Sequence, residues 1–178
     1  TAKPSYDEMG GIKHYLIDIL EPDEQFSVVA YQKMAHDSIE KVLGKNKIPI
    51  IAGGTGLYIN SLIYNIKFSE VTENIKLRNT LSKEAENKGN EFIYEKLKKI
   101  DPDAAERIHV NDVKRIIRAF EVYEYNNTSI TKYQEESRRT PTKFKFIIIG
   151  LTMDREILYS RINERVEIMF KNGLVKEV

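Results

Sequence analysis

Cysteine is absent from all 178 residues of the sequence. Its absence excludes disulfide bonds, thiolate metal sites and a cysteine nucleophile, and it best fits a cytoplasmic protein. The three histidines, His14, His36 and His109, lie far apart, which argues against a histidine metal site. Long apolar runs are also missing, since no stretch approaches the roughly 20 residues that a membrane-spanning helix needs. The opening residues TAKP lack the basic and then apolar layout of a signal peptide.

A strong net charge is missing as well. The formal net charge is +1, with a slightly acidic beginning and a slightly basic remainder. A dedicated nucleic-acid-binding domain typically carries a much larger basic excess. Any RNA binding would therefore depend on local basic faces and on shape. The content of 41% hydrophobic and 31% charged residues is typical of a soluble globular protein with one sizeable core.

Three short apolar segments predict buried structure. Residues 48–52 (IPIIA) and 144–151 (FKFIIIGL) have the β-branched character of buried strands, and residues 13–20 (KHYLIDIL) fit a short strand or a buried turn. Residues 48–52 lead directly into a glycine-rich loop and an apolar helix that begins near Leu57. Because a strand, a glycine loop and a helix in succession indicate an α/β fold, the sequence predicts an α/β protein.

The rest of the chain is patterned as amphipathic helices. Apolar residues at helical spacing, capping side chains and terminal glycines delimit these helices. Between about residues 72 and 134 they are short and charged, which indicates a helical insertion. The predicted helices cover residues 28–43, 73–88, 91–100, 102 onward, 112–125 and 155 to about 173, with N-caps at Ser27, Asp101, Asn111 and Asp154. The predicted buried face of the last helix consists of Leu158, Ile162, Val166 and Met169.

The loop Gly53-Gly54-Thr55-Gly56 is the first candidate site. Glycines between a strand and a helix let backbone N–H groups approach a ligand closely, and a helix N-terminus favours anions. The hydroxyl of Thr55 adds a further donor. The loop lacks the lysine of a P-loop, however, so a tight turn needed only for packing explains it equally well.

Three cations on one helix form the second candidate site. Lys114, Arg115 and Arg118 share one face, and none of them has an acidic residue four positions earlier. Such a stripe suits contact with phosphates, although an ordinary solvated face is the alternative. The opposite face is apolar and consists of Val113, Ile116, Ile117 and Phe120.

Arg161 and Arg165 form the third candidate site. They lie one turn apart beside the apolar face of the last predicted helix. Two guanidinium groups at this spacing can clamp a diphosphate by bidentate hydrogen bonds. Ion pairs with Glu164 or Glu167 are the alternative explanation of this pair.

Several segments in a fixed order resemble the tRNA dimethylallyltransferases. The most specific of them is NDVKRIIRAFEVYE at residues 111–124. The others are TAKP (1–4), HYLID (14–18), EPDEQFSV (21–28), GGTGLY (53–58), DPDAAERIH (101–109), GLTMDRE (150–156) and RINERVEIM (161–169). The resemblance covers essentially the whole chain.

The resemblance implies a fold and an activity. The expected fold is α/β, with a P-loop NTPase-like parallel sheet core and an α-helical insertion domain. The core would comprise residues 1–70 and 141–178, and residues 71–140 would form the insertion that grips the anticodon stem-loop of tRNA. The enzyme would move a dimethylallyl group from dimethylallyl diphosphate to the N6 amine of the adenosine 3′ of the anticodon. A monomeric, cytoplasmic protein without membrane contact is expected.

The resemblance also implies roles for individual residues. The diphosphate would be held by Arg161 and Arg165, with Mg²⁺ as the expected cofactor. No residue of this chain would be catalytic, because the family's P-loop and general base precede the TAKP segment, and the chain alone is expected to be inactive. The residues expected to bind tRNA are Thr55, Arg78, Lys114, Arg115, Ile116, Ile117 and Arg118.

Two other functions remain open from the sequence. A P-loop small-molecule kinase would share the α/β core, but it has no reason for a long helical insertion with a basic face. The chain could also serve only as an RNA-binding module without activity of its own. An assay of prenyl transfer beside a measurement of tRNA binding separates these cases.

Overall fold

The structure is a computed structural model that describes residues 2–68 and 74–177, apart from the side chains of Gln134 and Arg138. Within these ranges the chain forms nine helices and no strand. The predicted boundary at residues 70 and 71 and the predicted helix start at Glu73 lie outside the described residues. The helices are α1 (Val28–Leu43), α2 (Gly56–Ile63), α3 (Ile75–Lys88), α4 (Asn90–Ile100), α5 (Pro102–Arg107), α6 (Val113–Asn126), α7 (Ile130–Arg138), α8 (Arg155–Lys171) and α9 (Leu174–Glu177).

The predicted P-loop NTPase-like α/β fold, with its parallel sheet core, is wrong for the described part of the chain. A parallel strand needs neighbours for its backbone N–H and C=O groups, and residues 48–52 and 144–151 join no such ladder within the described ranges. Ile50 and Ile147 are 89% and 92% exposed. The apolar pattern identified side chains suited to burial, but it carries no information on whether a backbone partner is available.

Residues 13–20 are not a strand either. Leu16 and Asp18 have φ angles of 58° and 57°, in the left-handed region that strand residues do not adopt. The segment therefore turns locally instead of extending along a sheet. Of the two sequence interpretations, a strand or a turn, the backbone is that of a turn.

Two compact units make up the chain. One comprises Thr1–Phe26 with Lys145–Val178 and contains α8 and α9, and the other is Ser27–Phe144 and contains α1 to α7. The division into a core of residues 1–70 and 141–178 and an insertion of residues 71–140 stays a prediction. No helix in residues 2–68 and 74–177 combines the length and the apolar composition needed to cross a membrane.

The core of the larger unit lies between α3, α4, α5 and α6. Ile93 and Leu97 of α4 and Ile116 of α6 have no exposed surface. Removing a side chain of this size from water stabilises the fold by about 1.5–3 kcal/mol. The cluster of buried residues comprises Leu81, Ala85, Ile93, Leu97, Ala105, Ile116, Ile117 and Ala119. The predicted apolar face of α6 is confirmed, since Ile116 and Ile117 are buried in this cluster and Val113 and Phe120 pack against it.

A buried aspartate ties α5 to α7. Asp101 is 2% exposed, and its Oδ1 accepts a hydrogen bond from the Ala104 N–H at 3.0 Å, which confirms it as the predicted N-cap of α5. The same carboxylate accepts from the N–H of Thr131 at 3.1 Å and from its hydroxyl at 2.9 Å. The buried charge is thus hydrogen-bonded on both oxygens, as a buried carboxylate must be if it is not to destabilise the fold.

The other capping predictions have mixed outcomes. Ser27 and Asp154 are confirmed, since their side chains accept hydrogen bonds from N–H groups in the first turns of α1 and α8. The prediction that Asn111 caps α6 is wrong, because the side chain of the next residue, Asp112, accepts a hydrogen bond from the Arg115 N–H at 3.2 Å. Two good capping residues stand side by side there, and composition alone does not choose between them. The separate helix α7, which starts after Ser129, was missed.

The predicted buried face of α8 is wrong. Leu158, Ile162 and Val166 are 44%, 45% and 41% exposed, and none of the residues of this helix is buried. An apolar stripe is buried only where another element covers it. In its own unit α8 is followed by the four-residue helix α9, which is too short to cover such a stripe.

Candidate nucleic-acid interface

A buried carboxylate joins α3 to α6. The side chain of Glu121 on α6 has no exposed surface. Its Oε1 accepts hydrogen bonds from Nε of Arg78 at 2.7 Å and from the Asn74 N–H at 3.1 Å. Its Oε2 accepts from Nη2 of Arg78 at 3.1 Å and from Nη1 of Arg118 at 3.0 Å. The carboxylate thus receives a two-point contact from one arginine and a further contact from the other.

The charge of Glu121 is maintained by these contacts. Burial alone would raise the pKa of this carboxyl group, because the charged form loses its hydration. The hydrogen bonds from Arg78, Arg118 and the Asn74 N–H outweigh burial and hold the pKa of Glu121 below its ordinary range. The contacts of Glu121 therefore stabilise the fold at pH values above the ordinary pKa of a carboxyl group. This stabilisation is lost as the pH falls through the lowered pKa of Glu121.

Local sequence explains how the three charges meet. Arg118 and Glu121 are three residues apart on α6, so they share one face of that helix. Arg78 lies in the first turn of α3, four residues after the cap residue Asn74. The Oδ1 of Asn74 accepts from the Leu77 N–H at 3.1 Å, and its Nδ2 donates to Glu124 at 3.2 Å. The same residue therefore starts α3 and attaches that start to α6.

The predicted cationic stripe is divided by these contacts. Arg118 is 36% exposed and belongs to the buried ion pair, whereas Arg115 is 73% exposed and pairs with Asp112 at 3.3 Å. Lys114 is exposed. Neither arginine has an acidic residue four positions earlier, but each has an acidic partner three positions away, Asp112 before Arg115 and Glu121 after Arg118. The stripe is thus neither a purely solvated face nor three equivalent phosphate contacts.

Ile116 and Ile117 point into the core. They are 0% and 6% exposed, so their side chains pack inside the helical unit. Their role in tRNA binding stays a prediction. Such a role would act through packing, because these side chains fix the helix that carries Arg115 and Arg118.

Thr55 lies at the N-cap position of α2 and its side chain makes no capping hydrogen bond. Added Cβ atoms at Gly53, Gly54 and Gly56 would meet nothing within 4 Å, and none of these glycines has a left-handed φ. Neither close packing nor backbone conformation therefore accounts for the glycines within the described structure, which weakens the packing explanation of this loop.

The helix behind this loop is anchored to α1. Nε2 of Gln32 donates to the carbonyl oxygens of Ser61 and Ile66 at 2.7 and 3.0 Å. The rings of Tyr31 and Tyr58 stack with centroids 4.2 Å apart. Thr55 is therefore presented at the start of a helix held in place by its neighbour.

Arg161 and Arg165 lie on α8 in the other unit, and both are exposed. Nη2 of Arg165 donates to the carbonyl oxygen of Ala2 at 3.5 Å. Neither arginine pairs with Glu164 or Glu167 within the described part of the chain. The alternative of an ion pair with these glutamates therefore finds no support, and the diphosphate role stays a prediction.

Glu121 is the residue that sequence reasoning missed. It follows Ile117 by four positions, so a charged side chain interrupts the apolar stripe of α6. That interruption was the available signal for a buried charge in need of partners. The structure thereby brings Arg78 and Arg118 together, two residues that the sequence argument treated separately.

No group of three or more histidine, cysteine, aspartate or glutamate side chains in residues 2–68 and 74–177 could hold a metal ion. Mg²⁺ bound to phosphates usually takes only one or two carboxylates from the protein. The Mg²⁺ cofactor consequently stays an expectation.

A family model described as IPP transferase matches residues 1–178. The chain belongs to the IPP transferase family. Two relatives named tRNA dimethylallyltransferase are similar along its whole length. The one from Acetivibrio thermocellus is 58% identical and the one from Alkaliphilus oremlandii is 50% identical, and the match covers 100% of this chain in both. The chain spans 57% and 56% of the length of these two relatives.

Solved structures of the same family are also similar. The tRNA delta(2)-isopentenylpyrophosphate transferase of Staphylococcus epidermidis is 41% identical, with a TM-score of 0.55 over 99% of this chain and 57% of that one. A eukaryotic dimethylallyltransferase described as acting on tRNA is 27% identical, with a TM-score of 0.79 over 99% of this chain and 43% of that one. The predicted family resemblance is confirmed, and the small-molecule kinase alternative is set aside.

The ion pair at Glu121 predicts unequal costs for two arginines of α6. Replacing Arg118 by Ala removes a hydrogen bond to a buried carboxylate and should lower the free energy of unfolding by about 2 kcal/mol. Replacing Arg115 by Ala removes only an exposed pair and should change it by less than about 0.5 kcal/mol. Urea unfolding of both variants beside the unsubstituted protein measures the difference. Equal costs for the two variants would show that Glu121 does not depend on Arg118.

Proposed function

We propose that the protein carrying this chain transfers a dimethylallyl group from dimethylallyl diphosphate to the N6 amine of the adenosine 3′ of the anticodon in tRNA. The observation that carries the proposal is the similarity of all 178 residues to relatives named tRNA dimethylallyltransferase. The helical unit supports it, because arginines held on a packed frame suit contact with a folded RNA. An RNA-binding module without activity is the remaining alternative.

The tRNA is proposed to contact the α3–α6 junction and the start of α2. Lys114 and Arg115 are exposed on α6, and Arg78 and Arg118 keep 36% of their side-chain surface exposed. Phosphate contacts of this kind position an RNA without reading its sequence. Thr55, at the exposed start of α2, is assigned to the substrate nucleotide. The protein is expected to act in the cytoplasm, and a monomer is expected from the family resemblance.

Dimethylallyl diphosphate is proposed to contact Arg161 and Arg165. Both guanidinium groups are exposed on one helix, one turn apart, and neither pairs with the neighbouring glutamates within the described residues. Each can donate two parallel hydrogen bonds to phosphate oxygens. Mg²⁺ is the cofactor expected from the family resemblance, and it would neutralise charge on the phosphates when bound.

The proposed reaction exchanges one bond for another. The N6 amine of adenosine forms a bond to the allylic carbon while the carbon–oxygen bond to the diphosphate breaks. The diphosphate leaves with the bonding electron pair, and its developing charge is stabilised by the arginines. The amine proton passes to a general base, a role assigned to none of the described residues. The adenine must leave its stack for the amine to reach the allylic carbon.

The complete protein should transfer label from dimethylallyl diphosphate to unmodified tRNA. Incubation with labelled donor and Mg²⁺, followed by nuclease digestion of the tRNA, measures the label and identifies the nucleoside that carries it. A tRNA with another base in place of the target adenosine is the matched control and should remain unlabelled. Binding of tRNA without any label transfer would instead favour the RNA-binding module.

Arg161 and Arg165 of α8 should affect turnover more than tRNA binding. Replacing Arg161 or Arg165 by Ala in the complete protein should lower the rate by roughly 10²–10³-fold, as the loss of one donor to a developing charge typically does. Lys171, an exposed cation at the end of the same helix, provides the control, and Lys171→Ala should leave the rate nearly unchanged. Near-normal turnover of both arginine variants at saturating donor would assign the pair a structural role.

A further inference from the structure

We propose that Glu121 is a positioning residue for RNA binding, whose buried carboxylate orients the guanidinium groups of Arg78 and Arg118 so that their exposed parts contact phosphates of one RNA. This inference rests on the proposed function, because it takes tRNA as the ligand of the helical unit. Glu121 itself has no exposed surface and cannot touch the RNA. Its effect on binding therefore passes through the two arginines.

The geometry fixes the direction of each guanidinium group. Nε and Nη2 of Arg78 contact different oxygens of Glu121 at 2.7 and 3.1 Å. These two hydrogen bonds together fix the orientation of the Arg78 guanidinium group. Arg118 contacts Oε2 at 3.0 Å from within the same helix. Each arginine keeps 36% of its side-chain surface exposed. Both groups are therefore held from the inside and remain reachable from the outside.

The contacts with Glu121 favour phosphate binding because they reduce the side-chain entropy that the two arginines lose on binding. A long surface arginine samples many rotamers, and fixing them on binding opposes complex formation. Here the folded protein has already ordered both side chains through a buried partner. The two groups also come from different helices, so their separation is set by the packing of α3 on α6, where Asn74 adds a further hydrogen bond at 3.1 Å. A pair of phosphates at the matching distance is the ligand that this frame fits.

Electrostatics alone would act in the opposite direction. Glu121 carries a negative charge close to the proposed phosphate sites, so by Coulomb repulsion it disfavours an anion there. If repulsion were its only effect on RNA, removing its charge would strengthen binding. If positioning dominates, removing its charge releases the arginines and weakens binding. The sign of the change therefore distinguishes the two effects.

The test is tRNA binding by Glu121→Gln in the complete protein, measured over a range of salt concentrations. Each lost phosphate contact should flatten the plot of log affinity against log salt by roughly 0.7–0.9 units. We expect weaker binding and a slope shallower by about one to two contacts, in samples whose thermal unfolding confirms a folded state. A folded variant with an unchanged slope would overturn the proposal, and so would tighter binding.

A second variant decides the question if Glu121→Gln does not fold. Arg78→Lys keeps the positive charge and one contact to the buried carboxylate, but it loses the planar two-point geometry. We expect weaker tRNA binding with Arg78→Lys and no change with the control Arg139→Lys, since Arg139 is an exposed arginine at the end of α7 with no assigned role in RNA binding. Equal affinities of the two lysine variants would overturn the proposal. If the unsubstituted protein fails to bind tRNA, the proposed function fails as well, whereas normal binding with unresponsive variants rejects the positioning role alone.

Discussion

The interaction on which the helical unit depends is the buried carboxylate of Glu121 between two arginines. A charge removed from water destabilises a protein unless it is hydrogen-bonded and paired. Here the carboxylate is saturated by contacts from α3, from the cap residue of α3 and from α6. The contact between α3 and α6 therefore depends on the buried side chain of Glu121. The positions of Arg78 and Arg118 at the surface depend on the same side chain.

This arrangement assigns two tasks to the same arginines. Toward the interior, Arg78 and Arg118 neutralise Glu121, and their exposed surface is proposed to contact an anion. The remaining cations of α6 differ. Arg115, for example, is 73% exposed and pairs with Asp112, the cap of its own helix. The basic face thus combines two arginines held by a buried carboxylate with two more exposed cations, Lys114 and Arg115. Fixed cations favour a folded RNA of defined phosphate spacing over an arbitrary polyanion.

Local features of the structure could be predicted from the sequence, whereas features that need a distant partner could not. The helices α1 to α6 and the caps Ser27, Asp101 and Asp154 were predicted, because they depend on residues within a turn of one another. The sheet failed because β-branched residues at 48–52 and 144–151 do not reveal whether a second strand is present. The prediction of a buried face on α8 failed for the same reason, since an apolar stripe does not show whether another element packs against it. At the site, the cations could be identified from the sequence. The role of Glu121 could not, because its partner Arg78 is 43 residues away in the chain.

A site-specific NMR titration of Glu121 tests the central claim most directly. The side-chain carboxyl carbon of this residue reports its protonation while the protein stays folded. A carboxylate held by two arginines should titrate below 4.5, the ordinary value for a glutamate, because the hydrogen bonds outweigh the cost of burial. A midpoint at or above 4.5 would contradict the account, since it would mean that Glu121 is buried without the partners that hold α3, α6 and the two arginines together.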